Sequence, residues 1–225
     1  MSSRAEGGVG NHGPVITLSP VTRERGAVRL APLAPEHLDG IAAASADGEL
    51  WKTWFTKVPH PDAVPEWFED AMAQQAARTQ LAWAVRDLES GRIVGSTRYH
   101  DVIHAIDRVE VGYTWYARSV QRTHVNTTCK LMLLEHAFDT VGCAVVGLRT
   151  DRYNFASQRA IAALGAQRDG MLRHSGQRAD GSPRDVVYFS ILAGEWPEVR
   201  RNLEYRLERH ASAELSERGP RARRR

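Results

Sequence analysis

The sequence predicts an α/β (α+β) fold, a mixed and mostly antiparallel central sheet flanked by helices. Three observations predict it. Three strand-like runs, at 81–86, 92–99 and 109–116, follow one another over short connections, and strands joined that tightly pair antiparallel. Segments with apolar residues at intervals of three and four lie on both sides of that meander, so helices must cover it. The whole order reads ββαα-βββ-αβα-ββα, which packs as one sheet with helices on its faces.

Each element has its own signal. Residues 1–14 are rich in Gly and Ser and are expected to be disordered. Residues 15–21 and 28–33 read as two strands around a turn at Gly26. Pro35 opens a helix over 35–44, with Leu38, Ile41 and Ala42 as its buried stripe. Residues 47–64 read as a loop carrying Trp51, Trp54 and Phe55, and 65–77 as a helix with acidic residues near its positive end. In the strand 109–116, alternation puts Val109, Val111, Tyr113 and Trp115 on one face and Glu110, Gly112, Thr114 and Tyr116 on the other. Leu131, Leu134, Ala137, Phe138 and Val141 mark a helix over 127–141, with Asn126 or Thr127 as its N-cap. A buried strand follows at 144–150, then a helix over 154–164 stopped by Gly165. Residues 170–174 and 184–192 form a hairpin, and 195–207 a last amphipathic helix.

Composition narrows the function. The chain has 225 residues, 42% of them hydrophobic, enough for one well-cored domain, expected over 15–210. No apolar run is long enough to span a membrane, and the N-terminus carries no secretory h-region. The two cysteines, Cys129 and Cys143, form no CxxC pair and suit buried, reduced thiols in a cytoplasmic protein. The formal net charge of +3 is carried by the last fifteen residues, which hold five Arg and two Glu. Residues 211–225 are therefore expected to be a basic, disordered tail, and the rest of the chain gives no basis for a nucleic-acid partner.

Between the strand at 109–116 and the helix after it lies a basic, polar turn, 118–126. A strand feeding such a turn and then a helix presents free backbone N–H groups and a positive dipole end, an anion site that Arg118 and Arg122 would reinforce. The sequence contains no G-x-x-x-x-G-K-[ST], G-x-S-x-G or HExxH pattern. His100 and His104 are four apart on a strand end, where such side chains do not converge, so no metal site is expected.

Three stretches together, 109–115, 121–131 and 150–165, resemble the GNAT superfamily of acetyl-CoA-dependent N-acetyltransferases, and within it the branch that acetylates ribosomal-protein N-termini. The N-x-x-S-x-R-A-x-x-x-L-G of 154–165 is the most specific of the three. The resemblance implies acetyl-CoA as co-substrate and an amine acceptor, either a small molecule or a protein N-terminus. It implies a bulge on the central strand that frees the N–H groups of Trp115 and Tyr116 for the thioester carbonyl. It implies that Gln121, Arg122, Thr123, His124, Val125, Asn126 and Thr127 hold the diphosphate, and that Asn154 and Ser157 contact the cofactor's arm. Ser157 is then the candidate general acid, since Ile161 occupies the position where many members place a Tyr. Glu110 is the candidate general base, with a simple pairing to Arg98 as its competing role. The family's loop has glycine where His124 stands, which places a side chain where close backbone approach is wanted. That departure motivates a second reading, a catalytically silent acyl-CoA-binding or regulatory module on the same fold. In the enzyme reading the amine attacks directly in a ternary complex, because Cys129 sits in the helix and not at an acyl-accepting position. Exposed strands or the C-terminal hairpin offer a homodimer contact.

Overall fold

A computed structural model of the chain describes residues 16–217; the expected disordered segment 1–14 and residues 218–225 of the expected tail 211–225 lie outside them, while 211–217 of that tail are helical. Eight strands form one sheet: β1 (Arg23–Arg25), β2 (Val28–Pro32), β3 (Leu81–Asp87), β4 (Ile93–Ile103), β5 (Arg108–Tyr116), β6 (Val145–Asp151), β7 (Gln167–Gln177) and β8 (Pro183–Leu192). Their spatial order is β1-β2-β3-β4-β5-β6-β8-β7. Every neighbouring pair is antiparallel except β5–β6, which is parallel because a helix carries the chain from one to the other.

Five helices cover the sheet. α1 (Leu38–Ala46) and α2 (Val64–Ala76) pack on one face, where Ile41, Ala44, Val64 and Ala71 meet Ala82, Ala84, Ile93 and Trp115. On the other face, α3 (Val125–Glu135) and α5 (Trp196–Glu217) build the larger core with the alternate residues of the same strands, among them Leu81, Trp83, Val109, Val111 and Val146. β3 turns Ala82 and Ala84 to the α1–α2 side and Leu81, Trp83 and Val85 to the α3 side, so this strand helps to make the two cores unequal. Each fully buried Leu or Val contributes about 1.5–3 kcal/mol. α4 (Phe155–Ala162) follows β6.

Two boundaries differ from expectation. Residues 16–21 are not a strand; Ile16 is buried with Leu18 and Val21 packed beside it, and β1 begins at Arg23, paired through the turn at Gly26 (φ +56°). The polar Arg-Glu-Arg sequence hides this strand, because an edge strand needs no apolar alternation. The last helix continues ten residues past 207, to Glu217, with an increasingly polar sequence. Its amphipathic stripe ends before its hydrogen bonding does. α3 itself widens into a π-helix at His136–Val141, where the Tyr99 hydroxyl donates to the Leu133 carbonyl and its ring stacks on His136.

Candidate active site

β5 is the strand on which the site is built, and its two ends behave differently. Against β4 it runs antiparallel, but Thr97 alone faces both Tyr113 and Thr114, so β5 carries a bulge. Tyr113 takes the left-handed conformation (φ +49°) to make it. One extra residue reverses the alternation. Val109, Val111 and Tyr116 therefore share the α3 core, while Trp115 turns to the α1–α2 face. The strict two-residue period, which puts Trp115 beside Val109, fails at the bulge for that reason.

Against β6 the pairing stops early. Arg108, Val109 and Glu110 pair with Val145, Val146 and Gly147, and among the described residues no further β5–β6 pair forms. β6 meanwhile stays paired to β8 along all seven residues, Val145 to Asp151. Two parallel strands that share only their first three residues must splay apart. The result is a cleft between the last part of β5 and the last part of β6, with α3 starting beyond one wall and α4 beyond the other. Both helix N-termini thus stand at the open end, where parallel strands commonly present ligand sites.

The turn leading into α3 is held by its own side chains. Gln121 Nε2 donates to the Tyr116 carbonyl at 2.9 Å, Thr123 Oγ1 donates to the Val120 carbonyl at 2.7 Å, and the Val125 N–H donates to Thr123 Oγ1 at 3.3 Å. Helix α3 starts at Val125, earlier than expected from Asn126 or Thr127. His124 occupies the N-cap position with right-handed geometry (φ −65°), its side chain does not cap, and its ring lies edge-on to His210 of α5 at 6.0 Å. The left-handed residue of the turn is Arg122 (φ +65°). The conformational burden expected of the glycine position is therefore carried two residues earlier, and the His124 ring is drawn toward α5. At the opposite wall, Asn154 caps α4, its Oδ1 accepting the Ser157 N–H at 3.0 Å. Asp151 is fully buried at the end of β6 and neutralised by Arg178 (2.9 Å) and Arg184 (3.5 Å).

On the α1–α2 face of the same cleft, Glu110 is buried. It contacts Arg108 at 3.3 Å and Arg149 at 3.5 Å, and not Arg98. Gly147 makes room for this: a Cβ there would come within 2.8 Å of Glu110 Cγ and 2.4 Å of the Arg108 guanidinium. His100 lies over Gly112, with Nδ1 3.5 Å from Asp101, and Arg149 joins Asp101 at 2.6 Å. A hydrogen bond from His100 and the guanidinium of Arg149 hold the Asp101 carboxyl down at about 2. Ligand-capable atoms of His100, Asp101 and Glu110 come within 4.8 Å of one another. Arg108 and Arg149 already pair with those carboxylates, although Glu110 Oε2 accepts no hydrogen bond, so the charges form an ion-paired cluster. His104 sits apart on a 3-10 turn at His104–Ile106.

Arg98 is buried on this face, its guanidinium 4.8 Å from the Trp67 ring centroid and 4.9 Å from that of Tyr113. Gln80 accepts from it at 3.0 Å and Asp70 stands at 3.6 Å. The aromatic residues grouped in the sequence are divided in space. Trp67 covers Arg98, Trp51 packs on His60, and Trp54 stacks near Tyr153 with Arg178 over its ring. Sequence reasoning passes over Arg149 and Lys130. Arg149 projects from a strand otherwise read as buried, and Lys130 precedes the apolar run 131–134, which signals a helix buried all round and no route for a long side chain to reach water.

The sequence profile of the GNAT acetyltransferase domain matches residues 27–167, and the chain belongs to that family. A GCN5-related N-acetyltransferase from Brucella melitensis superposes with a TM-score of 0.78 at 26% identity, over 87% of this chain and 89% of that one. A protein from T. thermophilus, provisionally named an acetyltransferase, gives 0.75 at 30% identity, over 85% and 99%. RimJ of Mycobacterium smegmatis, in complex with CoA-disulfide, shares the fold at 0.68 and 21% identity, over 79% and 88%. A search of the curated proteins gives no match. The protein is an N-acetyltransferase of the GNAT fold. No described helix is long and apolar enough to cross a membrane.

Proposed function

We propose that the chain transfers the acetyl group of acetyl-CoA to a primary amine, by direct attack in a ternary complex. The observation that carries this reading is the splay of β5 from β6 after Glu110 and Gly147, with the N-termini of α3 and α4 at its open end. The residues present suit the cofactor. The first turn of α3 has no side-chain cap from His124, so the N–H groups of Asn126 and Thr127 are directed at an anion there, and Arg122 and Arg118 add charge. Gln121 and Thr123 support that turn from within. Acetyl-CoA, when bound, supplies the activated acetyl group.

The chain's own groups then have distinct tasks. The backbone N–H of Tyr116, just past the bulge and turned away from β4, donates to the carbonyl oxygen and stabilises its developing charge, whereas Trp115, expected to share this task, stays in register with Ser96 of β4. Glu110 takes a proton from the attacking amine, directly or through water, and Arg149 and Arg108 fix its orientation. Ser157, one turn into α4, donates a hydrogen bond to the departing sulfur, while Asn154 shapes the same wall. The acceptor enters from the α1–α2 face, beside Trp54 and Tyr153, both half-exposed. The exposure of these two rings suits the end of a polypeptide, and neighbours of the same fold include a ribosomal-protein-S5-alanine acetyltransferase from Vibrio fischeri. A thiol-release assay with acetyl-CoA against N-terminal peptides and small amines tests the proposal. Turnover with one acceptor class is the expected result; no release with any amine would refute it.

A further inference from the structure

Lys130 lies in the middle of α3, where every residue from Thr128 to Leu134 is buried. Among the described residues no carboxylate pairs with its ammonium. Nζ donates to Thr114 Oγ1 at 2.9 Å, and Thr114 Oγ1 lies 2.7 Å from Thr97 Oγ1. These two threonines are the residues that face each other at the β5 bulge, and Thr114 immediately precedes Trp115. A lone ammonium removed from water is costly, and a methionine would fill similar space without that cost. Core packing therefore does not account for a lysine here, but its position does. It touches the bulge from the α3 side, the side on which the turn at 121–127 begins.

We propose that Lys130 is a positioning residue for acetyl transfer: through Thr114 and Thr97 its ammonium fixes the bulge that presents the Tyr116 N–H group, and it sets a positive charge behind the oxygen that group serves. The inference rests on the acetyl-transfer reading of the cleft. Burial also lowers the Lys130 ammonium to about 8, so the charge is lost within an accessible pH range. The titratable groups beside it are Cys129 on its own helix and, across from Cys129, Tyr116 on β5. Burial lifts the first to about 12 and the second well above its ordinary value, so both stay neutral where Lys130 titrates.

The experiment is steady-state thiol release by wild type, Lys130→Met and Thr114→Val between about pH 6 and pH 10, with an acceptor found in the amine panel. For Lys130→Met, kcat is expected to fall about tenfold or more at neutral pH, with KM for acetyl-CoA changed less than about threefold. The wild-type kcat should decline above about pH 8, and the Lys130→Met profile should lack that decline. Thr114→Val keeps the lysine but removes its anchor, and should lower kcat while retaining the alkaline decline; it also serves if the methionine variant does not fold. An active wild type whose kcat and pH profile are matched by folded Lys130→Met overturns the role of Lys130 alone. A wild type that releases no thiol with any amine overturns the acetyl-transfer reading as well.

Discussion

Two buried cations flank the β5 bulge, one on each face of the sheet, and they are accommodated in opposite ways. Arg98, on the α1–α2 face, is held between the rings of Trp67 and Tyr113 and reaches Gln80 and the half-exposed Asp70. Its delocalised charge faces two aromatic rings, which compensates burial in part, although Nε and Nη2 find no hydrogen-bond partner and burial still disfavours the charged form. Lys130, on the α3 face, has a compact charge and one threonine hydroxyl. Burial is offset by aromatic contacts and a nearby carboxylate for one, and by a single hydroxyl for the other. The comparison separates a cation that holds the fold together from one the fold tolerates, and it ties α2 to the bulge from one side while α3 holds it from the other.

The largest effect is expected at Glu110, on the same strand as the bulge and paired with Arg108 and Arg149. Glu110→Gln keeps the shape of the side chain but loses the charge that pairs with Arg108 and Arg149 and cannot take up a proton. Turnover should drop about 10²–10³-fold, with affinity for acetyl-CoA nearly unchanged. Steady-state kinetics combined with calorimetric titration of CoA separate the two quantities. A loss of affinity equal to the loss of turnover would show that Glu110 shapes the cleft and is not the base.

Next come the two cations themselves, with opposite signs. Arg98→Ala empties the slot between two aromatic rings and should destabilise the protein by about 3 kcal/mol. Lys130→Met removes an uncompensated charge and should stabilise it at neutral pH. The lowering of its ammonium from 10.5 to about 8 corresponds to roughly 3 kcal/mol. The sign follows from linkage. Below about pH 8 the lysine is charged in both states and the folded state bears the full penalty. Between there and 10.5 the folded protein gives up the proton first, and the penalty disappears. Urea denaturation of the two proteins at about pH 7 and pH 10 should therefore show the advantage of Lys130→Met shrinking as pH rises. A wild type more stable than the variant at pH 7 would mean that the ammonium has compensation beyond Thr114.

The sequence announces one side of this bulge better than the other. Helix α3, the turn before it and the 154–165 segment carry local signals: spacing, a basic turn, a capping Asn. The strands and their order follow from short connections. The bulge itself leaves little mark, since the left-handed residue is Tyr113, an uncommon choice for that conformation, and not the adjacent Gly112. One unpaired residue then moves Trp115 to the other face. The acceptor-side cluster is also opaque, because His100, Glu110 and Arg149 come from three strands and meet only through register. Its place in the loop marks His124 as a disturbed glycine position, whereas the backbone there is right-handed and Arg122 makes the turn.

Register also sets the smallest effect. Gly112 faces the His100 ring, and a Cβ at 112 would lie 2.2 Å from His100 Nε2. Gly112→Ala must push the imidazole away from its seat beside Tyr113, at a cost of about 1–3 kcal/mol. Truncating the ring should relieve the clash, so His100→Ala/Gly112→Ala is expected to lose less stability than the two single changes combined. The coupling in this double-mutant cycle should be about 1–2 kcal/mol in the favourable direction. Additive losses would mean that the backbone at 112 yields instead of the ring, and that His100 keeps its contact with Asp101. The same pair reads out the comparison from the acceptor face. If moving His100 also loosens Tyr113, the ring that covers Arg98, then Arg98→Ala should cost less in the Gly112→Ala background than in the wild type.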